Sequence, residues 1–324
     1  MDEKISLNHG DGGKRSNEIV SKIRNLLEIK NNWNGQLDDG AYLKAGDSFL
    51  VMTTDSYTQE PWDFPGGDIG KLSIIGTLND LAVMGANAIA ISLAIVIEEG
   101  FPIKDIEKII KSINDISKKL NIPIVTGDTK VMPKKDLNGI IINTTGIGTT
   151  KKIIKNNNIA PGDKIIVSGS IGDHGAAILA KRFEYKTNLV SDCAPVIGII
   201  NKLNDKIKAA KDPTRGGLAA IVNEFAAKGN VQIIINEEKI PIKKEARAIT
   251  DILGIDILTL ACEGRVILVV SREMEKEVLK ELKKINPDAT TIGEVVAGKK
   301  VILKTKIGKR FLDTPRGIGV PRIC

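Results

Sequence analysis

The sequence predicts a mixed α/β (α+β) protein of two domains with a mobile C-terminal tail, on three observations. Helix-like and strand-like patterns alternate along the whole chain. A polar stretch over 149–158 runs into the turn signal Pro161-Gly162-Asp163, which is the best candidate for a boundary. A chain of 324 residues is long for one hydrophobic core and suits about two domains. The domains read in this way are 1–158 and 159–304, followed by a tail over 305–324. Gly and Pro near the end of that tail work against a regular helix or strand.

The elements follow in order. His9-Gly10-Asp11-Gly12-Gly13-Lys14 precedes a helical pattern from about Ser16; backbone N–H groups at a helix start can cradle phosphate, and the lysine adds charge. Leu37-Asp38-Asp39 leads into a short strand pattern, and residues 49–53 read as a strand that delivers Asp55 at its end. Residues 65–72 superficially imitate a phosphate-binding loop but carry Pro65 where Gly belongs and Leu72 where Ser or Thr belongs. Asn79-Asp80 lies in a helical stretch before Met84-Gly85-Ala86. Strand patterns over 88–97 and 123–125 flank isoleucines 103, 106, 109, 110, 113 and 116 at helical spacing. The run over 122–128 that contains the second of these strands carries Asp128 at its end. A strand over 140–145 runs into Gly146-Ile147-Gly148, which lacks the third glycine of a dinucleotide fingerprint. Beyond the boundary, 164–167, 231–235 and 265–270 read as strands, and 273–284 as an amphipathic helix. Residues 168–175 and 212–217 are strand–loop–helix junctions.

Lys and Arg number 47 against 40 Asp and Glu, giving a formal charge of +7 that suits an anionic ligand. Aromatic residues make up only 3%, too few for base-stacking platforms, so a phosphate-bearing small molecule is favoured over nucleic acid. No apolar run approaches the ~20 residues of a membrane helix, and the N-terminus lacks a signal-peptide pattern. Cys193, Cys262 and Cys324 are odd in number and form no Cys-x-x-Cys pair, which argues against a disulfide framework or structural zinc and for a cytoplasmic protein.

Two features carry chemistry. Carboxylates recur at the ends of apolar runs: Asp38 or Asp39, Asp55, Asp80 and Asp128. Each alone fits the commonest job of such an Asp, capping a turn or helix. Together they suit a hard cation such as Mg²⁺, which takes oxygen ligands and is often bound with substrate phosphates. The second feature is Cys324, in Pro321-Arg322-Ile323-Cys324: a thiol on a flexible arm can take up a group and present it elsewhere, unless it is simply a frayed end. It is no prenylation signal, which puts the cysteine fourth from the end.

As an ordered set these junctions resemble the hydrogenase maturation family of HypE proteins over essentially the whole chain. The resemblance rests on 9–13, 53–56, 64–71, 79–86, 98–102, 126–130, 141–148, 172–175, 191–195, 212–217 and 321–324. That family belongs to a superfamily with aminoimidazole ribonucleotide synthetase, selenophosphate synthetase and thiamine-monophosphate kinase, which use ATP without a Walker loop. The resemblance implies a two-domain aminoimidazole ribonucleotide synthetase-like fold and a homodimer paired through the first domain's sheet.

It also implies a function in [NiFe]-hydrogenase maturation. A carbamoyltransferase, HypF, loads the terminal thiol; ATP-dependent dehydration converts the S-carbamoyl group to a thiocyanate; cyanide passes to iron on a HypC–HypD complex. Carried over by motif, Cys324 is the carrier, and Lys130 and Glu263 are proton handlers or charge stabilisers. Asp38, Asp39, Asp55, Asp80 and Asp128 are the Mg²⁺ set; the ATP loops comprise Gly10, Gly12, Gly13, Asp38, Asp55, Asp80, Asp128 and Asp212. A buried ion-pair or turn residue is the alternative reading of Glu263, and which of Asp38 and Asp39 meets metal stays open. Arg265 stands where Lys is expected. His174 suits a hydrogen bond at a helix start better than catalysis, and Cys193 and Cys262 suit packing. Two competing readings are a small-molecule kinase of the same superfamily, which would not need Cys324, and an assembly scaffold, which would not need the aspartates.

Overall fold

The computed structural model describes residues 4–10, 13–27, 32–35, 38–315 and 322. Two sheets organise it. The first contains β1 (Ala41–Ala45), β2 (Ser48–Tyr57), β5 (Asn87–Glu98), β6 (Ile124–Met132) and β7 (Ile140–Thr150), in the order β1-β2-β7-β5-β6. A two-stranded ribbon, β3 (Asp63–Phe64) and β4 (Gly67–Asp68), leads into helix α2 (Ile69–Val83). All pairs in the first sheet are antiparallel except β5–β6, which α3 (Ile103–Leu120) connects. The isoleucine repeat makes α3 amphipathic: Ile109 and Ile113 are buried, and Asn121 ends the helix in a left-handed conformation.

The α2 helix is of another kind. Thirteen of its residues are buried, and it has no polar face. A helix apolar all round must be enclosed, and α2 is: it packs on β2, β5, β7 and α3, and also on α5 (Ile197–Leu203) and β9 (Ile207–Lys211) beyond the first sheet. The Asp68 side chain caps it by accepting the Lys71 N–H at 2.9 Å.

The second sheet joins β9 to β8 (Lys164–Val167), β10 (Gln232–Asn236), β11 (Ile267–Val270), β12 (Thr290–Val296), β13 (Lys300–Thr305) and β14 (Gly308–Phe311). Their order is β14-β13-β10-β12-β8-β11-β9. Only β10–β13 is parallel. The helices here are α4 (Asp173–Arg182), α5, α6 (Gly217–Gly229), α7 (Lys244–Leu253) and α8 (Glu275–Ile285). The largest apolar cluster runs from Tyr57 and Ile142 through to Val301 and Leu312, so one continuous core joins the two sheets.

The observed strands are longer than those read from apolar runs, because polar residues continue the ladder. β2 extends through Thr54, Asp55 and Ser56 against β7, and β6 extends through Gly127, Asp128 and Lys130 against β5. The second sheet also passes the boundary at 304: β13 and β14 form a hairpin, with Ile302 opposite Phe311, so residues 305–311 are not tail-like. The near N-terminal helix α1 (Lys14–Leu26) buries none of its residues, and its Lys14 N–H donates to the Pro315 carbonyl at 2.9 Å. Among the described residues no helix is long and apolar enough to cross a membrane.

Candidate active site

A cavity of about 570 Å³ lies between the two sheets. Its acidic lining comes from both halves of the chain: Asp38, Asp39, Asp55 and Asp80 from the first, Asp212 and Glu263 from the second. β2 contributes by alternation, since Thr53, Asp55 and Tyr57 share one face of the strand. Thr53 donates to Asp80 Oδ2 at 2.8 Å, and the Tyr57 hydroxyl donates to Asp55 Oδ2 at 3.3 Å. Helix α2 brings Asp80 one turn after Gly76. A Cβ on Gly76 would lie 2.2 Å from the Tyr57 hydroxyl oxygen, so only glycine lets the phenol cross the helix there.

Asp38 and Asp39 part company. Asp38 is ion-paired with Lys228. Asp39 turns to the centre, where its carboxylate and those of Asp80 and Asp212 place ligand atoms within 4.8 Å of one another. Lys211, 7% exposed, ties this cluster down by pairing with Asp39 at 2.8 Å and Glu224 at 2.7 Å. Burial opposes the charge on Lys211, but Asp39 and Glu224 outweigh it and raise its pKa. For the acids the balance goes the other way. Burial and the charges of Asp55, Asp212 and Asp39 hold Asp80 well above the ordinary carboxylate range, despite the Thr53 hydrogen bond. Burial and Asp39 push Asp212 up to about 8, with Lys211 opposing.

Glu263 enters on the loop 262–264. Asp192 accepts the N–H groups of Glu263 and Gly264 at 3.2 and 3.3 Å, and Asn79 Nδ2 donates to the Glu263 carbonyl at 3.0 Å. A Cβ on Gly264 would lie 1.9 Å from the Asp192 carbonyl oxygen, so the loop cannot be held this close with any other residue. Burial, then Asp212, Asp192 and Asp55, raise the Glu263 pKa well above its ordinary value. Oδ2 of Asp39, Oδ2 of Asp212 and Oε1 of Glu263 are buried with no hydrogen-bond partner. Such oxygens are costly unless a cation or donor meets them. The donor set is all oxygen, which fits Mg²⁺.

The other expected residues lie elsewhere. Asp128 and Lys130 pair with each other at 3.0 Å on β6, with side chains 61% and 67% exposed. That edge strand is three strands from β2, or ~14 Å, and neither residue lines the cavity. Gly10 and Gly13 flank the start of α1 and do not line it either; Gly12 and Cys324 lie outside the described residues. His174 is buried at the second position of α4, with Nδ1 2.8 Å from Ser191 Oγ and its ring edge-on to Phe64. Cys193 and Cys262 are buried, and burial raises both thiols. Arg265 bonds to the Ser170 carbonyl at 3.2 Å and lies 3.7 Å from Asp192. It therefore steadies the residue that holds the Glu263 loop. Sequence reasoning assigned no role to Arg215, which lines the cavity 3.9 Å from Asp55. Its place in the 212–217 junction, three residues after Asp212, was the available signal.

Comparison with known proteins places the chain. Residues 37–150 match the AIR synthase related protein N-terminal domain, and residues 160–306 the corresponding C-terminal domain. The carbamoyl dehydratase HypE of Rhizobium leguminosarum bv. viciae is 38% identical, over 99% of this chain and 95% of the relative. That of Escherichia coli K12 is also 38% identical, over 99% of both chains.

This chain belongs to the HypE carbamoyl dehydratase family.

Solved HypE structures share its architecture. HypE in a HypE–HypF complex superposes with a TM-score of 0.85 at 39% identity, covering 94% of this chain and 100% of that one. HypE in complex with ATP superposes with a TM-score of 0.82 at 34% identity, covering 99% and 100%. The mixed α/β fold expected from the sequence is therefore the fold of the HypE family.

Proposed function

We propose that this protein is an ATP-dependent carbamoyl dehydratase of [NiFe]-hydrogenase maturation, with Cys324 as the carrier of the reacting group. HypF would load the thiol and a HypC–HypD complex would receive cyanide, in the cytoplasm. The observation that carries the reading is the convergence of unpartnered, buried carboxylate oxygens from Asp39, Asp212 and Glu263 in a cavity built by both halves of the chain.

The chemistry needs such a site. A carboxamide oxygen leaves poorly, so it attacks the γ-phosphorus of ATP and ADP departs. The resulting phosphate ester loses inorganic phosphate as two protons leave nitrogen, so the S-carbamoyl group becomes a thiocyanate and the water appears in the phosphate. Asp39, Asp80 and Asp212, with Asp55 beside them, would hold Mg²⁺, which neutralises phosphate charge. Asp38 supports that set through Lys228. Glu263, whose carboxyl is held well above its ordinary value by burial and then by Asp212, Asp192 and Asp55, is the cavity carboxyl proposed to take a proton from nitrogen. Arg215 can meet the departing phosphate. Asp128 and Lys130 fit this scheme in a homodimer, in which the first sheet of one copy carries them to the other copy's cavity. The two units expected on either side of residue 158 would then divide the labour, the first supplying most phosphate-facing carboxylates and the second Asp212 and Glu263.

The reading is tested by loading Cys324 with HypF and following the intact chain by mass spectrometry after Mg²⁺–ATP is added. Loss of one water from the loaded tail, with ADP formed in step, is expected. Phosphate release without that loss overturns it.

A further inference from the structure

Arg322 is held by five polar contacts on a surface outside the carboxylate cavity. Its Nε donates to the Thr58 carbonyl at 2.5 Å, its Nη2 to the Asn138 carbonyl at 3.0 Å, and its Nη1 pairs with Glu60 Oε2 at 3.0 Å. Its carbonyl accepts the Glu60 N–H at 3.0 Å and Arg182 Nη2 at 2.8 Å. Arg182 in turn donates Nε to the Glu60 carbonyl at 3.0 Å, so residues 60, 182 and 322 form one closed group. Arg322 also takes a left-handed backbone, with φ of 58°. A side chain with a Cβ adopts that conformation only where its surroundings fix it. The planar fork of a guanidinium matches three separate acceptors in a way an ammonium does not.

The seat adjoins the site. Thr58 directly follows Tyr57, which lines the cavity and bonds to Asp55. Cys324 follows Arg322 by two residues, a tether of at most ~7 Å between Cα atoms. We propose that Arg322 is a positioning residue: its seat on Thr58, Glu60, Asn138 and Arg182 sets the register in which the tail offers Cys324 to the phosphate site. This rests on the dehydratase reading.

The test uses the full chain with Mg²⁺–ATP. Cys324 is carbamoylated with cyanate, so no partner is needed, and single-turnover dehydration is followed for wild type, Arg322→Ala, Arg322→Lys and Glu60→Gln. Hydrogen exchange at the Glu60 amide is measured alongside. Arg322→Ala should speed Glu60 exchange and slow dehydration by roughly tenfold to a hundredfold, the effect of a misplaced reactant, with ATP affinity unchanged. Arg322→Lys and Glu60→Gln should fall between, because each keeps part of the contact set. Unaltered Glu60 exchange in Arg322→Ala overturns the seat. Unaltered dehydration in that variant, while wild type reacts, overturns its positioning role and leaves Arg322 at most a partner contact. A loaded wild type that does not dehydrate defeats the dehydratase reading instead, and Glu60 exchange still decides whether the seat exists.

Discussion

At the level of single residues, the cavity is a set of like charges held together by the fold. Asp212 illustrates the consequence. Its pKa rises from about 4 in an unfolded chain to about 8 here, through burial first and Asp39 second. Between those values the folded chain binds more protons than the unfolded one, so stability falls as pH rises through that window. In EDTA, wild type should melt at a lower temperature at pH 8 than at pH 5, and Asp212→Asn should narrow that difference, leaving the part due to Asp80 and Glu263. Mg²⁺ should restore the wild type at pH 8 and do little for the variant, whose Mg²⁺–ATP affinity should drop at least tenfold. A wild-type melting temperature that is level or rising over that range in EDTA, measured by calorimetry, would falsify the shared-charge account. How much of this was legible in the sequence follows from the residues. Carboxylates placed beside apolar runs flagged Asp55, on β2, and Asp80, in α2, because several such oxygens together suit a hard cation. The pair Asp38-Asp39 could not be resolved, since the two adjacent carboxylates share a bend before β1 and only the positions of Lys228 and Lys211 separate them.

At the level of elements, α2 is the part that makes one site from two sheets. Its Asn79 donates Nδ2 to the carbonyls of Ala194 and Glu263, at 3.2 and 3.0 Å, and accepts the Val196 N–H at 2.9 Å. All three partners belong to loops of the second unit, and Asn79 is fully buried. Replacing it with Ala strands buried polar groups, at a cost of about 1–3 kcal/mol. Asn79→Ala should therefore lower the urea midpoint while leaving the m-value unchanged, and should slow turnover through the loosened Glu263 loop. A midpoint equal to wild type would show that α2 does not fix that loop. The sequence marked α2 as helical, but its enclosure was not readable from periodicity. A helix apolar on every side gives no directional pattern, and Asn79 reads from sequence as an ordinary polar position. The long β2 and β6 were underread for a related reason: Asp55, Gly127 and Asp128 are poor strand formers alone, and their neighbours in β7 and β5 keep them in the ladder.

For the whole molecule, the question is why two residues singled out by sequence, Asp128 and Lys130, lie apart from the cavity. They sit on an edge strand, β6, whose residues 125–131 are all exposed, including Val125 and Val131. The free side of an exposed edge strand presents unpaired backbone N–H and C=O groups, a liability in an isolated molecule that proteins ordinarily cover or break up. Pairing between two copies would cover it and, by two-fold symmetry, bring each copy's Asp128 and Lys130 to the other's site. No reading of one chain can find this, because the distance that matters runs between molecules. Complementation separates the possibilities. Asp80→Asn spoils a cavity, whereas Lys130→Ala spoils the strand offered to a neighbour. Each variant alone should be inactive in single-turnover dehydration. Mixed in equal amounts and allowed to exchange subunits, half of the dimers pair one variant with the other, and each of these holds one intact site. Activity should then recover to about a quarter of wild type, the value set by random pairing across an isologous interface. A mixture as inactive as its components, with subunit exchange verified by native mass spectrometry, would place Lys130 and Asp80 in the same copy's site and require β6 to move toward its own cavity.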